Sequence, residues 1–198
     1  MAGTSFRRRT ARAITAVLQP AVVWAALLLA APFAEPRSQY PLAWGAGAAL
    51  LVCAVPAAIL AWLGRRRDLR GGIGRFGAGP LMLCTGVLMY GTLRVIRWWH
   101  GPLALAAVIL AMFAGYAAVL LARRQWPLSW PATALGAAAA ILPQLLGMPG
   151  LLALPVLAAG LWAAAVPGHG TAARLAGSAL AGAVVCGGIC ALLLRAAG

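Results

Sequence analysis

Long apolar runs separated by short polar gaps dominate the chain. Runs near residues 13–33, 42–63, 79–97 and 102–122 precede two shorter ones near 131–147 and 150–166, and a last one near 172–195. A helix rises ~1.5 Å per residue, so about 20 apolar residues cross the hydrocarbon of a bilayer. The pattern predicts an all-α fold, a polytopic transmembrane helix bundle of six to seven helices. Seven cross if every run spans; six cross if the short pair is a re-entrant hairpin. Pro143 and Pro155 fall inside that pair, where each removes a helix hydrogen bond and favours a kink. The first run follows a basic start, as in a signal peptide, but its length and the runs after it predict an uncleaved first helix. No gap is long enough to separate domains, so residues 1–198 read as one integral membrane domain, with 1–12 as a basic cytoplasmic tail. In the last run Ser178, Gly182, Cys186 and Cys190 recur every four residues. That spacing predicts a ridge of small side chains packed closely against another helix of the same chain.

Composition agrees with this reading. Of 198 residues, 64% are apolar and 9% charged, far from the roughly 25% charge of a soluble domain. All 16 basic residues are arginine and the only acids are Glu35 and Asp68, giving a net charge of +14. The arginines occupy the gaps between apolar runs, where anionic headgroups and the positive-inside rule account for them without nucleic acid. With a cytoplasmic N-terminus, Arg7, Arg8, Arg9, Arg12, Arg65, Arg66, Arg67, Arg70, Arg75, Arg123, Arg124 and Arg174 lie inside, and Arg37, Arg94, Arg97 and Arg195 outside. Twelve against four predicts a multi-pass protein of the inner (plasma) membrane with its N-terminus in the cytoplasm. Trp98, Trp99, Trp126 and Trp130 flank runs as interfacial anchors do. The four cysteines lack zinc or disulfide spacing and read as small buried thiols.

The gaps carry the candidate chemistry. Those at 64–78, 123–130 and 167–171 are two runs apart, so all three emerge on one side. The first brings arginines, whose planar paired donors suit phosphate; the second brings Ser129 and the third His169. Each has a simpler role open to it: a topology-setting loop with Asp68 as local counter-ion, a helix cap at Ser129 with Trp130 and Pro131 in the first turn, and an interfacial histidine in a tight turn. His100, in RWWHGP on the other side, reads as an interface residue, and Glu35 faces away from the arginine-rich side. Two acids on opposite sides of a membrane cannot share a substrate, which excludes paired-carboxylate hydrolysis. No Walker, HExxH or GxSxG motif is present.

From about residue 14 to 195 the order of these features resembles a short bacterial branch of the type 2 phosphatidic acid phosphatase superfamily. Pro20 matches an early proline, Trp44-Gly45 the opening of a second helix, and Arg65 to Pro80 an arginine-rich loop ending in proline. Trp126 to Pro131 matches a Trp-Lys-x-Ser-x-His stretch, and Leu161 to Gly170 a Trp-Ser-Arg segment followed by a histidine. The resemblance implies a metal-independent lipid phosphate phosphohydrolase needing no cofactor, with His169 as nucleophile and Arg70, Arg75 and Ser129 around the substrate phosphate. It also implies a phosphorylated lipid or polyprenyl phosphate as ligand. Yet the family's acid histidine falls on Pro131, its arginine on Ala163 and its serine on Trp162. Losing the proton donor and a phosphate clamp each costs orders of magnitude in rate. The expectation is a family-like scaffold that binds a lipid phosphate at the cytoplasmic interface with reduced or lost hydrolysis; the alternative is a structural or accessory membrane subunit without enzymatic activity.

Overall fold

The computed structural model describes residues 10–11, 14–15, 17–35, 38–65, 79–122, 128–166 and 171–197. Among them every regular element is helical, and seven rods form. The first, α1, is Pro20–Ala30 continued by a 3-10 turn, Ala31–Ala34. Helix α2 runs from Pro41–Ala49 through a π-turn, Leu50–Ala54, into Val55–Arg65. Next come α3 (Gly79–Trp98), α4 (Leu103–Ala122) and α5 (Trp130–Leu146). Helix α6 joins Met148–Leu151 to Leu154–Ala165. Helix α7 passes from Ala172–Gly182 through a second π-turn, Ala183–Gly187, into Gly188–Ala197. Four stretches are long and apolar enough to cross a membrane: Pro41–Ile59, Leu103–Ala122, Met148–Ala165 and Ala172–Ala196.

Prolines revise the expected outlines. The run expected to be helical from residue 13 is interrupted at Gln19, which is extended (ψ 146°), and the helix resumes at Pro20. Proline disfavours the helical conformation in the residue before it but suits a first turn. Pro155 accompanies a break in α6, as expected. It sits in the first turn of Leu154–Ala165, where its missing N–H costs little, and the interruption falls at Leu152 and Ala153. Pro143 does lie inside α5. In α2 the π-turn ends two residues before Pro56, whose ring crowds the carbonyl four positions back, so a wider turn there relieves the clash.

Helix α5 sits at the centre. Residues 132–138 are buried without a break, the signature of a helix covered on all sides. It packs against α1, α4, α6 and α7, and its run of alanine and glycine lets those neighbours approach. A Cβ built on Gly136 would overlap the carbonyl oxygen of Ala179, and one on Gly182 that of Thr133. The α5 and α7 backbones are therefore in direct contact, the arrangement in which small residues maximise dispersion and Cα–H···O contacts. Ser178, Gly182, Cys186 and Cys190 are all buried, so the predicted ridge packs within the chain, with Cys186 against Gly115 of α4. Leu27, Leu28, Leu105, Ile109, Leu135 and Ile141 fill the remaining interior. All four cysteines are free, Cys53 and Cys84 being half-buried.

The ends of α5 fix its span. Ala132 shares a small buried cluster with Ala164 of α6 and Leu175 of α7, whereas α5 also packs on Ala31–Ala34 at the far end of α1. It runs between these two ends of the bundle. Near its end, the Gln144 side-chain amide donates to the carbonyls of Ala140 (2.8 Å) and Gly187 (3.1 Å). Gly187 closes the α7 π-turn, where the regular ladder is disturbed, so the amide supplies a donor where the helix itself is irregular.

Candidate functional site

Two ends of the bundle offer polar chemistry, and the sequence pointed to one of them. At the arginine-rich end, Ser129 precedes α5 in an extended conformation (φ −86°, ψ 112°), and Trp130 and Pro131 open the helix as expected. The expected cap does not form: the Ser129 hydroxyl accepts no bond from the first turn. Its backbone does the work instead. The Ser129 carbonyl accepts from the Thr133 N–H (2.9 Å) and the Thr133 hydroxyl (3.0 Å). The Ser129 N–H donates to the hydroxyl oxygen of Ser178 (2.9 Å), which in turn donates to the Arg174 carbonyl (2.7 Å). Ser178 thus ties the start of α5 to the first turns of α7. At the head of α7, Thr171 is a true cap, its hydroxyl oxygen accepting from the Arg174 N–H (3.3 Å).

These bonds, with the Ala132–Ala164–Leu175 cluster, bring the start of α5, the end of α6 and the start of α7 to the same end. The Tyr116 and Trp130 rings meet edge to face at 4.6 Å, which adds the last turns of α4 to that end. Of the predicted site residues Ser129 is placed here; His169, Arg70 and Arg75 lie outside the described residues, as do Asp68, Arg123, Arg124 and Trp126. Where the phosphatase motifs would need an arginine and an acid, Ala163 is fully buried and Pro131 belongs to the first turn of α5.

The opposite end holds a cavity of about 920 Å³ formed by the end of α1, the start of α2, the end of α3 and the start of α4. Glu35, Tyr40, Trp44, Arg97, Trp99 and His100 line it. The Glu35 carboxylate accepts from the Ala104 N–H at 2.7 Å, so it satisfies one of the unpaired donors of the first turn of α4 and opposes the positive end of that helix's dipole. It is the one carboxylate side chain among the described residues, and it bonds to this helix end. The Trp44 and Trp99 rings pack edge to face at 6.4 Å, and Gly101 lies so close to the Trp44 ring that a side chain would press on it. Tyr40 (φ 57°) and His100 (φ 51°) are the only non-glycine residues with positive φ among the described residues, and both line this cavity.

Sequence reasoning placed Glu35 and His100 on this side without joining them into a site. The available signal was the clustering of Glu35, Tyr40, Arg97 and His100 in two gaps that connect adjacent helices. Among the described residues no group of three His, Cys, Asp or Glu side chains is placed to hold a metal ion. The described residues form an all-helical bundle in which four helices are long and apolar enough to cross a membrane. No protein-family model, no curated protein and no solved structure matches the chain.

Proposed function

We propose that the protein is a multi-pass membrane protein, N-terminus in the cytoplasm, whose arginine-rich end holds a phosphorylated lipid or polyprenyl phosphate without turning it over. The observation that supports this reading is the convergence of Ser129, ahead of α5, with the end of α6 and the first turns of α7 on one end of the bundle, through Ala132, Ala164, Leu175 and the Ser129–Ser178 bond. Guanidinium groups in the neighbouring gaps supply donors suited to phosphate oxygens. Hydrolysis has weak support. The proton donor and second clamp of the resembled phosphatases fall on Pro131 and the fully buried Ala163, neither of which can protonate a leaving oxygen or neutralise phosphate.

Purified protein incubated with phosphatidic acid and with polyprenyl diphosphate tests the reading. It predicts binding weakened by Arg70→Ala and Arg75→Ala, with no release of inorganic phosphate. Phosphate release abolished by His169→Ala would restore the enzyme. Lipid-phosphate binding indifferent to both arginine substitutions would refute the reading and leave the structural-subunit alternative.

A further inference from the structure

Two apolar grooves lie one on each side of α3, and each shares wall residues with the cavity at the Glu35 end. The first, about 530 Å³ between α3 and α4, is lined by Thr85, Tyr90, Phe113 and Leu120 and shares Leu93 with the cavity. The second, about 390 Å³ between α2 and α3, is lined by Ala43, Gly47, Leu51 and Val95 and shares Tyr40, Trp44 and Trp99 with it. Along α3 the first runs from Leu93 back to Thr85, and along α2 the second runs from Ala43 to Leu51. At 1.5 Å per residue each extends ~12 Å, close to the ~15 Å of hydrocarbon in one leaflet. A chamber holding Glu35 and Arg97, with two leaflet-deep grooves astride one helix beside it, has the outline of a lipid with two chains.

The chamber's charges indicate the headgroup. Arg94, Arg97 and His100 share a smaller cleft of about 270 Å³ beside it, and guanidinium donors match phosphate oxygens. The same chamber presents the Glu35 carboxylate and the indoles of Trp44 and Trp99, groups that attract an ammonium ion. A purely anionic headgroup would leave Glu35 opposed. The two strained residues, Tyr40 and His100, both belong to this chamber, and such conformations concentrate where a site imposes them.

We propose that this cavity binds a two-chain phospholipid bearing an amine in its headgroup, of the phosphatidylethanolamine class. Its phosphate lies at Arg94 and Arg97, its amine at Glu35, Trp44 and Trp99, and one chain on each side of α3. The assignment rests on the bundle lying in a membrane and is independent of phosphate binding at the other end. The full chain, delipidated in detergent, is titrated with diacyl phosphatidylethanolamine, the matching phosphatidylglycerol and single-chain lysophosphatidylethanolamine, and binding is read by native mass spectrometry. The diacyl amine lipid binds with one-to-one stoichiometry, about tenfold tighter than either comparison lipid. Arg97→Ala weakens both diacyl lipids. Glu35→Gln, which keeps an oxygen for the Ala104 N–H, weakens only the amine lipids. Gly47→Leu, where a new side chain meets open space, fills the second groove and removes the advantage of two chains over one. Equal binding of the two diacyl lipids overturns the proposal, and so does amine-lipid binding unchanged in Arg97→Ala and Glu35→Gln proteins that melt as the wild type does. Resistance of the wild-type protein to carbonate extraction checks the embedding separately, so a failure of this site is not confused with a failure of the membrane reading.

Discussion

Gly136 and Gly182 hold the α5 and α7 backbones in contact, because any side chain on either would occupy the space of a carbonyl oxygen opposite, at Ala179 or Thr133. A backbone atom cannot swing aside as a flexible side chain can. Gly136→Ala and Gly182→Ala are therefore expected to destabilise the protein by about 1–3 kcal/mol each, read as a lowered melting temperature in detergent. Gly177→Ala, on the same helix with open space around it, is expected to leave it unchanged or to raise it slightly through helix propensity. Ser178→Ala removes the acceptor of the Ser129 N–H and is expected to cost about 1–3 kcal/mol, the penalty for a buried donor left alone. The ridge Ser178-Gly182-Cys186-Cys190 was legible because four-residue spacing is a property of one helix. Its partner face was not, since nothing in ATALGAAAA tells which neighbour Gly136 meets. At Ser129 the position of the helix start was legible from Trp-Pro. The bond that fixes it was not, because Ser178 arrives from a distant helix.

At the scale of elements, two irregular features have identifiable causes. The π-turn in α2 precedes Pro56, and the π-turn in α7 presents the Gly187 carbonyl to Gln144. Gln144→Leu keeps the volume and removes both side-chain bonds, and is expected to cost about 0.5–1.5 kcal/mol. Helix α4 depends on Glu35, whose carboxylate meets its second N–H. Glu35→Ala is expected to lower stability by about 1 kcal/mol, with Glu35→Gln retaining most of it; equal melting of the two variants would show that the cap is not what matters there. Six of the seven segments were legible to within a few residues, and the first but for its start, since run length and flanking polar residues are local. The revision at Gln19 turns on where Pro20 falls within a turn. The Glu35 cap depends on a residue far along the chain and leaves no local trace.

At the scale of the whole molecule the bundle is polarised. At one end Ser129 and the first turns of α7 meet beside gaps that carry most of the arginines in the sequence, and the other gathers Glu35, two indoles, Arg97 and His100 around a cavity. Loop arginines are legible as a count, which is why the first end stood out. The second is built from residues scattered over four helix ends, and only their convergence makes it a site. The proposed topology places these two ends on opposite sides of a membrane, with the arginine-rich end in the cytoplasm. In a variant with the four native cysteines replaced by alanine, single cysteines at Gly72, Gln125, Gly168 and Gln39 are labelled in intact cells with a membrane-impermeant maleimide. Gln39→Cys is expected to react at once, and the other three only after the membrane is permeabilised. Reaction of any of those three in intact cells to the same extent as Gln39→Cys would contradict the account.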